Sequence, residues 1–387
     1  MKRVHRARWV VVDADTVIED GHLVAEKGMI VSVGHGSGPK GTPAEDHGDA
    51  ALLPGFVNAH THLELSALKG RVKSDAGFAA WVRDLLVVRG ACPEKTLFQA
   101  ARKAVGDAEA AGTLVFGEIS TLGITRPLFD KKGAQGVWFQ ELLGAPAPLA
   151  MPTGSKDAPW VSLAAHAPHT TAPEAIRGMK ALATGSGRPF SIHLDESDAE
   201  REFITSGQGA WADFLTERSI DFSGWPVPAD DPVSYLLNLG VVDENTLVVH
   251  LLQSGRRHFR RLAEKGATAA CCVRSNLLLH GRAPDIEAMV AEGLTVALGT
   301  DSLASCDSLS IIDEMRAVAT HAPGLSFAEI FRMATENGAK ALGLGERFGR
   351  LVPGASARFI KVVPRLSGRA FSFERLFGAG VDLSIVE

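Results

Sequence analysis

The stretch "ALLPGFVNAHTHLELSAL", Ala51 to Leu68, decides how the chain is read. An apolar run leads into two histidines, His60 and His62, with one residue between them. On an extended segment, side chains two apart project from the same side, so both imidazoles can grip one ion if the run is a strand. Two histidines alone do not separate a metal-binding pair from two polar loop residues. Their partners must be found elsewhere in the chain.

The surroundings support a strand. Residues 1–51 hold short valine-rich runs, "ARWVVVD" and "HLVAEKGMIVSVG", broken by glycine and charged turns, as β-structure requires. From Leu52 onward, apolar runs alternate with helix-like segments, the signature of βα units around a parallel sheet. Eight runs can be counted: "LLPGFV", "TLVFGEI", "VWFQELL", "VSLAAH", "FSIHL", "TLVVHL", "ATAACCV" and "LTVALGTD". Between them "FAAWVRDLL" places Phe78, Trp81, Val82 and Leu85 on one helical stripe. "SFAEIFRMATENGAKALGL" starts at Ser326 with Glu329 three residues on, a capping-box pattern. The expected fold is therefore α/β, a (β/α)₈ TIM-like barrel over 52–345. The strand-like pieces "ARFIKVV" and "VDLSIVE" close the chain, so 1–51 and 346–387 are expected to pair into a small β-domain.

Bulk properties exclude several classes. The chain has 387 residues, 45% hydrophobic and 22% charged, which suits a globular protein with a large core. A net charge of −5 gives no reason to expect a nucleic-acid polymer or an anionic membrane as partner. The basic run "GRRHFRR" reads as the solvated face of a helix. Cys92, Cys271, Cys272 and Cys306 form no regular framework and suit free thiols in a reducing cytoplasm. "MKRVHRARWVVVDAD" lacks a signal-peptide core, and no apolar run approaches the roughly 20 residues that span a bilayer. The expected location is cytoplasmic.

Barrel chemistry sits at the C-terminal ends of the strands, and five of the eight runs end in a metal-capable residue. Beside His60 and His62 these are His166, His193, His250 and Asp301. His193 and Asp301 can complete a mixed nitrogen and oxygen set with the first pair, suited to one divalent ion, Zn²⁺ first, with Fe²⁺ and Mn²⁺ as alternatives. The fourth run carries no lysine that could bridge a second metal, which favours a single ion. Metal coordination lowers the pKa of water from about 15.7 towards 7. Glu196, three residues beyond His193, is placed to move the proton; Asp195 is its rival. His250 would act as an acid or hydrogen-bond donor beside the metal.

With these residues in hand the chain resembles the amidohydrolase superfamily, in the branch of metal-dependent deaminases and triazine chlorohydrolases. "PGFVNAHTH", "HLDES", "LGTDSLAS" and "ATENGAKALGLGERFGRLVPGASA" match its habitual blocks in order, over nearly the whole chain. The resemblance implies metal ligands at His60, His62, His193 and Asp301, an acid/base at Glu196 and a catalytic hydrogen-bonding histidine at His250. Finer blocks, "HTHLELS", "AAHAPHT", "EREFITSGQGAWADFL" and "VRSNLLLHGRAP", are similar to aminodeoxyfutalosine deaminases of the alternative menaquinone pathway. The implied reaction removes the 6-amino group of an adenine-type nucleoside; adenosine, methylthioadenosine and S-adenosylhomocysteine are further substrates, and a homodimer is a further expectation. Guanine, cytosine or a chlorinated triazine on the same metal is the alternative. A non-catalytic barrel would be expected to have lost one of the six residues, and all are present. Three departures stand out: His169 where relatives often carry tyrosine, Val273 for a common proline, and Arg358 where aspartate is usual.

Pocket candidates follow from what a nucleoside needs. Glu64 could accept ribose hydroxyls or form a rim salt bridge. Trp81 could stack on a purine or pack in the core. His166 could donate to a purine nitrogen. Arg274, with Ser275 and Asn276, could bind the benzoate of aminodeoxyfutalosine or brace a loop. Ser302 is read as holding the Asp301 carboxylate in place.

Overall fold

The computed structural model describes residues 2–73, 77–129, 133–152, 160–363, 371–377 and 381–386; Glu387, the last residue of the expected final strand, lies outside them. Eight parallel strands run in sequence order around a barrel: Phe56–Thr61, Thr113–Ser120, Gln135–Leu142, Trp160–Ala165, Phe190–Leu194, Thr246–His250, Thr268–Cys271 and Thr295–Leu298. Their residues are apolar almost throughout because helices cover one face and the barrel interior the other; all eight residues of Thr113–Ser120 are buried.

The two edge strands meet at the functional end. Thr61 bridges to Asp301, and the His60 carbonyl accepts the amides of Thr300 and Asp301 at 3.0 and 3.2 Å. This closure requires Gly299, where a Cβ would lie 2.9 Å from both Cβ and O of His60.

One expected strand is divided. Ala51–Pro54 leaves the barrel and joins a separate seven-stranded sheet, pairing in parallel with Lys2–Val11 and antiparallel with Phe359–Val363. Pro54 has no amide to continue a ladder, and the barrel strand begins at Phe56. The remaining strands of this sheet are Val17–Glu26, Met29–His35, Ala44–Asp46 and Asp382–Val386. The chain's two ends thus build one layer beside the barrel, as expected.

Helix Phe78–Gly90 carries the predicted stripe. The capping box at Ser326 and Glu329 forms, but the helix that it opens is interrupted by a π segment, Met333–Asn337, before Gly338–Ala341. There Asn337 Nδ2 donates to the Val296 carbonyl at 2.7 Å. The basic run lies on helix Arg256–Glu264, where Arg256 and Arg260 pair with Glu292. All four cysteines are free. Among the described residues no helix is long and apolar enough to cross a membrane.

Candidate metal centre and nucleoside pocket

His60 is wholly buried on the first strand, and neither ring nitrogen has a hydrogen-bond partner. Buried polar atoms are seldom left so, which makes this imidazole the strongest sign that the site is built around something else. Its ring centroid stands 4.9 Å from those of both His62 and His193. One nitrogen from each of the three rings lies within 4.8 Å of the other two.

Each neighbour is oriented towards the same point. His193 Nδ1 donates to the His166 carbonyl at 2.7 Å, leaving Nε2 as a lone pair that faces His62 Nε2 at 3.3 Å. His62 Nε2 lies 3.7 Å from Asp301 Oδ1. The other Asp301 oxygen accepts from Ser275 Oγ at 2.6 Å and Ser305 Oγ at 2.8 Å. Burial, with the four surrounding imidazoles, holds His60 well below the usual histidine range, so it is neutral, as a ligand must be. Three imidazoles and one carboxylate, with the unpartnered His60 ring among them, fit a divalent metal.

Glu196 closes the site from the fifth strand. The backbone turns left-handed at Asp195, φ 56°, and Ser197 caps helix Asp198–Ser206. That turn sends the two adjacent acids in different directions. Asp195 is held away by a bidentate pair with Arg201 at 2.7 and 2.8 Å and by Ser254. Glu196 faces inward, 3.7 Å from His250 Nε2 and 3.3 Å from His280 Nε2. Burial pushes its carboxyl up, but the charges of His250 and His280 and the His280 hydrogen bond outweigh this and hold it at about 2. His250 ends the sixth strand with φ 77°, and Asn276 Nδ2 donates to its Nδ1 at 3.2 Å. Left-handed φ at Asp195, His250 and Asp301 is costly for non-glycine residues and is typical of functional sites.

The space between the walls over this floor amounts to about 810 Å³ with the open mouth included. His62, His166, His193, Glu196, His250, Asp301 and Ser302 reach it, and so does Trp81. His166 Nδ1 is 2.6 Å from Thr170 Oγ1. Burial, opposed by the Glu141 carboxylate, brings His166 down to about 3. Trp81 lines the pocket and at the same time packs in a cluster with Leu65, Leu68, Leu85 and Ala304.

Two pocket expectations are corrected. Glu64 is not on the wall: Ser120 Oγ donates to it at 2.7 Å and the amides of Thr121 and Leu122 at 2.9–3.2 Å, so it braces the loop after the second strand. Arg274 is also spent on a loop. Its guanidinium contacts Asp307, donates to the Ser308 carbonyl at 3.0 Å and lies 3.7 Å from Glu314. Its neighbours Ser275 and Asn276 go instead to Asp301 and His250. Ser302 stands one step further back than expected, 3.3 Å from Ser305 Oγ rather than on Asp301.

Other residues come from the structure alone. Glu141 ends the third strand buried on the pocket wall, 3.7 Å from His193 Nδ1; an acid inside "VWFQELL" was the available signal. His280 ends helix Val273–His280. Glu200 is fully buried and accepts the amides of Asp195 and Glu196, both at 2.9 Å. His169 sits behind the wall, its ring 4.4 Å from Trp211 and its Nδ1 3.7 Å from Glu200.

Comparisons with known proteins agree with this geometry. The amidohydrolase family matches residues 51–377. A 5-methylthioadenosine/S-adenosylhomocysteine deaminase of Nitratidesulfovibrio vulgaris is 28% identical over 381 residues, covering 90% of this chain and 80% of the relative. An aminodeoxyfutalosine deaminase of Deinococcus radiodurans is 28% identical over 328 residues, covering 78% and 75%. The crystal structure of Helicobacter pylori aminofutalosine deaminase with methylthio-coformycin superposes with a TM-score of 0.83 at 24% identity, covering 97% of this chain and 95% of that one. At that identity the likeness speaks for the fold.

Proposed function

Because the chain belongs to the amidohydrolase family and is a hydrolase acting on C–N bonds, we propose that it removes the 6-amino group of an adenine-type nucleoside and releases ammonia, with aminodeoxyfutalosine as the favoured substrate. The observation that carries the reading is the Glu196 carboxylate, buried between His250 and His280 beside the imidazole trio. It is ionised at neutral pH and faces a pocket with aromatic walls.

His60, His62, His193 and Asp301 would hold a divalent metal, whose Lewis acidity eases ionisation of the attacking water. Glu196 takes a proton from that water, passes it to the ring nitrogen beside C6, and serves the departing amine in turn. His250, with its Nε2 on the pocket side, donates to the developing oxyanion at C6. Asp301 is pinned by two serine hydroxyls and so keeps one orientation throughout. The purine is flanked by Trp81 and the apolar side chains of its helix.

The test is ammonia release by the zinc-loaded protein from a panel of aminopurine nucleosides that includes aminodeoxyfutalosine, adenosine, methylthioadenosine and S-adenosylhomocysteine. Turnover is expected to be fastest on aminodeoxyfutalosine, and Glu196→Gln should lower it about 10³-fold, within the usual range for acid–base groups. No turnover on any adenine nucleoside would sink the reading and direct the search to guanine, cytosine and triazines.

A further inference from the structure

The helix Phe78–Gly90 is a ruler laid along the pocket. Phe78 stands at its inner end, with its ring 4.9 Å from His280, the histidine that touches Glu196. Phe78, Trp81, Val82, Leu85 and Leu86 all line the pocket, and the next residue of the same face, Arg89, lines it too. At 1.5 Å per residue Arg89 lies about 16 Å along the axis from Phe78. It also borders the neighbouring surface groove with Leu122 and Arg218, so it marks the place where the pocket opens.

Arg89 is the only arginine or lysine among the described residues that line the pocket. It is half-buried, and among the described residues its guanidinium has no carboxylate or hydrogen-bond partner. The acids of the pocket, Glu141, Glu196 and Asp301, belong to the catalytic floor at the other end. An arginine beside leucines without a counter-ion is suited to an anion that arrives with the ligand, and its planar fork matches a carboxylate.

We propose that Arg89 is the residue that selects the substrate's far end: it binds a carboxylate carried on an apolar 5′ extension of the nucleoside. This rests on the deaminase reading above and supplies the recognition that Arg274, tied to Asp307 and Ser308, does not. With about 1.5 Å per bond, adenine and ribose fill roughly the inner half of the span. A methylthio group ends short of Arg89, whereas an aryl carboxylate reaches it. The corridor between is apolar, formed by Leu85, Leu86, Leu143 and Phe214. Such walls suit an aryl group better than an amino-acid end, since the acid on that side, Glu94, lines the neighbouring surface groove and not the pocket itself.

The experiment compares kcat/KM for aminodeoxyfutalosine and for its methyl ester, which is uncharged and one methyl group larger, in the wild-type zinc enzyme and in Arg89→Gln and Arg89→Lys. The wild type should prefer the acid. In Arg89→Gln the acid-to-ester ratio should fall at least 10-fold, with the loss in KM rather than kcat, and Arg89→Lys should recover part of it. An acid-to-ester ratio unchanged by Arg89→Gln, in an enzyme that deaminates either compound, would overturn the role of Arg89 and leave the deaminase reading intact. Failure of the wild type to deaminate any adenine nucleoside would overturn both.

Discussion

His280 Nε2 lies 3.3 Å from Glu196 Oε1, and its ring packs against Phe78. The carboxylate proposed to move the proton is therefore steadied by a residue more than eighty positions downstream, at the last turn of helix Val273–His280. A hydrogen bond to a charged group contributes about 1.5–3 kcal/mol. His280→Ala is expected to lower kcat about 10-fold while metal content stays at the wild-type level, and His280→Gln, which restores a donor, to recover part of the loss. Steady-state kinetics with metal analysis decides the matter; unchanged kcat in the alanine variant would contradict the role.

Asp301 is a different case, because its partners would act through the metal it is proposed to hold. Ser275 and Ser305 both donate to Oδ2, leaving Oδ1 towards His62. Groups that orient metal ligands typically change affinity by about 10–100-fold when removed. The double variant Ser275→Ala/Ser305→Ala should lose zinc to a chelator at a concentration lower by about that factor. Ser302→Ala, one hydroxyl further away, should show the smaller effect, and the reverse order would contradict the assignment.

Glu200 holds the backbone that carries Glu196. Its two oxygens each accept one amide, from Asp195 and from Glu196, in a fully buried position. Glu200→Gln leaves one acceptor for two donors and strands one buried amide, at about 1–3 kcal/mol. The expected outcome is a lower denaturation midpoint together with reduced kcat. A variant as stable and as active as the wild type would show that the two amides have other partners.

The pH dependence of stability should carry a signature from Glu314, which burial raises to about 8 against the opposing charge of Arg274. The unfolded carboxyl ionises near 4.5. Between the two values the folded state binds the extra proton, so raising the pH favours unfolding. This contribution is complete below pH 4.5 and is lost as pH rises through about 8. Wild-type stability should therefore decline from pH 5 to pH 8 relative to Glu314→Gln, as measured by chemical denaturation. Parallel curves would place the Glu314 carboxyl in the ordinary range.

Much of this protein was legible before any coordinates. Parallel strands buried on both faces are written as short apolar runs, and an imidazole or carboxylate closing such a run is conspicuous. His60, His62, His166, His193, His250 and Asp301 were visible for that reason, and the barrel's geometry brings strand ends together wherever they lie in the chain. The flanking β-sheet was visible as valine-rich runs at both ends.

Direction was the part that sequence did not hold. Glu64 and Arg274 have the chemistry of substrate ligands, but each is claimed by groups that only folding brings alongside: the amides of Thr121 and Leu122 for one, Asp307 and Ser308 for the other. The left-handed turn at Asp195 separates two neighbouring acids that look alike in "HLDES". Ala51–Pro54 and Phe56–Thr61 read as one run and belong to two sheets. Glu141, His280 and Arg89 gave no motif, because their meaning depends on which wall they face. Periodicity determines that a residue is buried or on a given side of its element; which neighbour waits there is decided by packing across the whole chain.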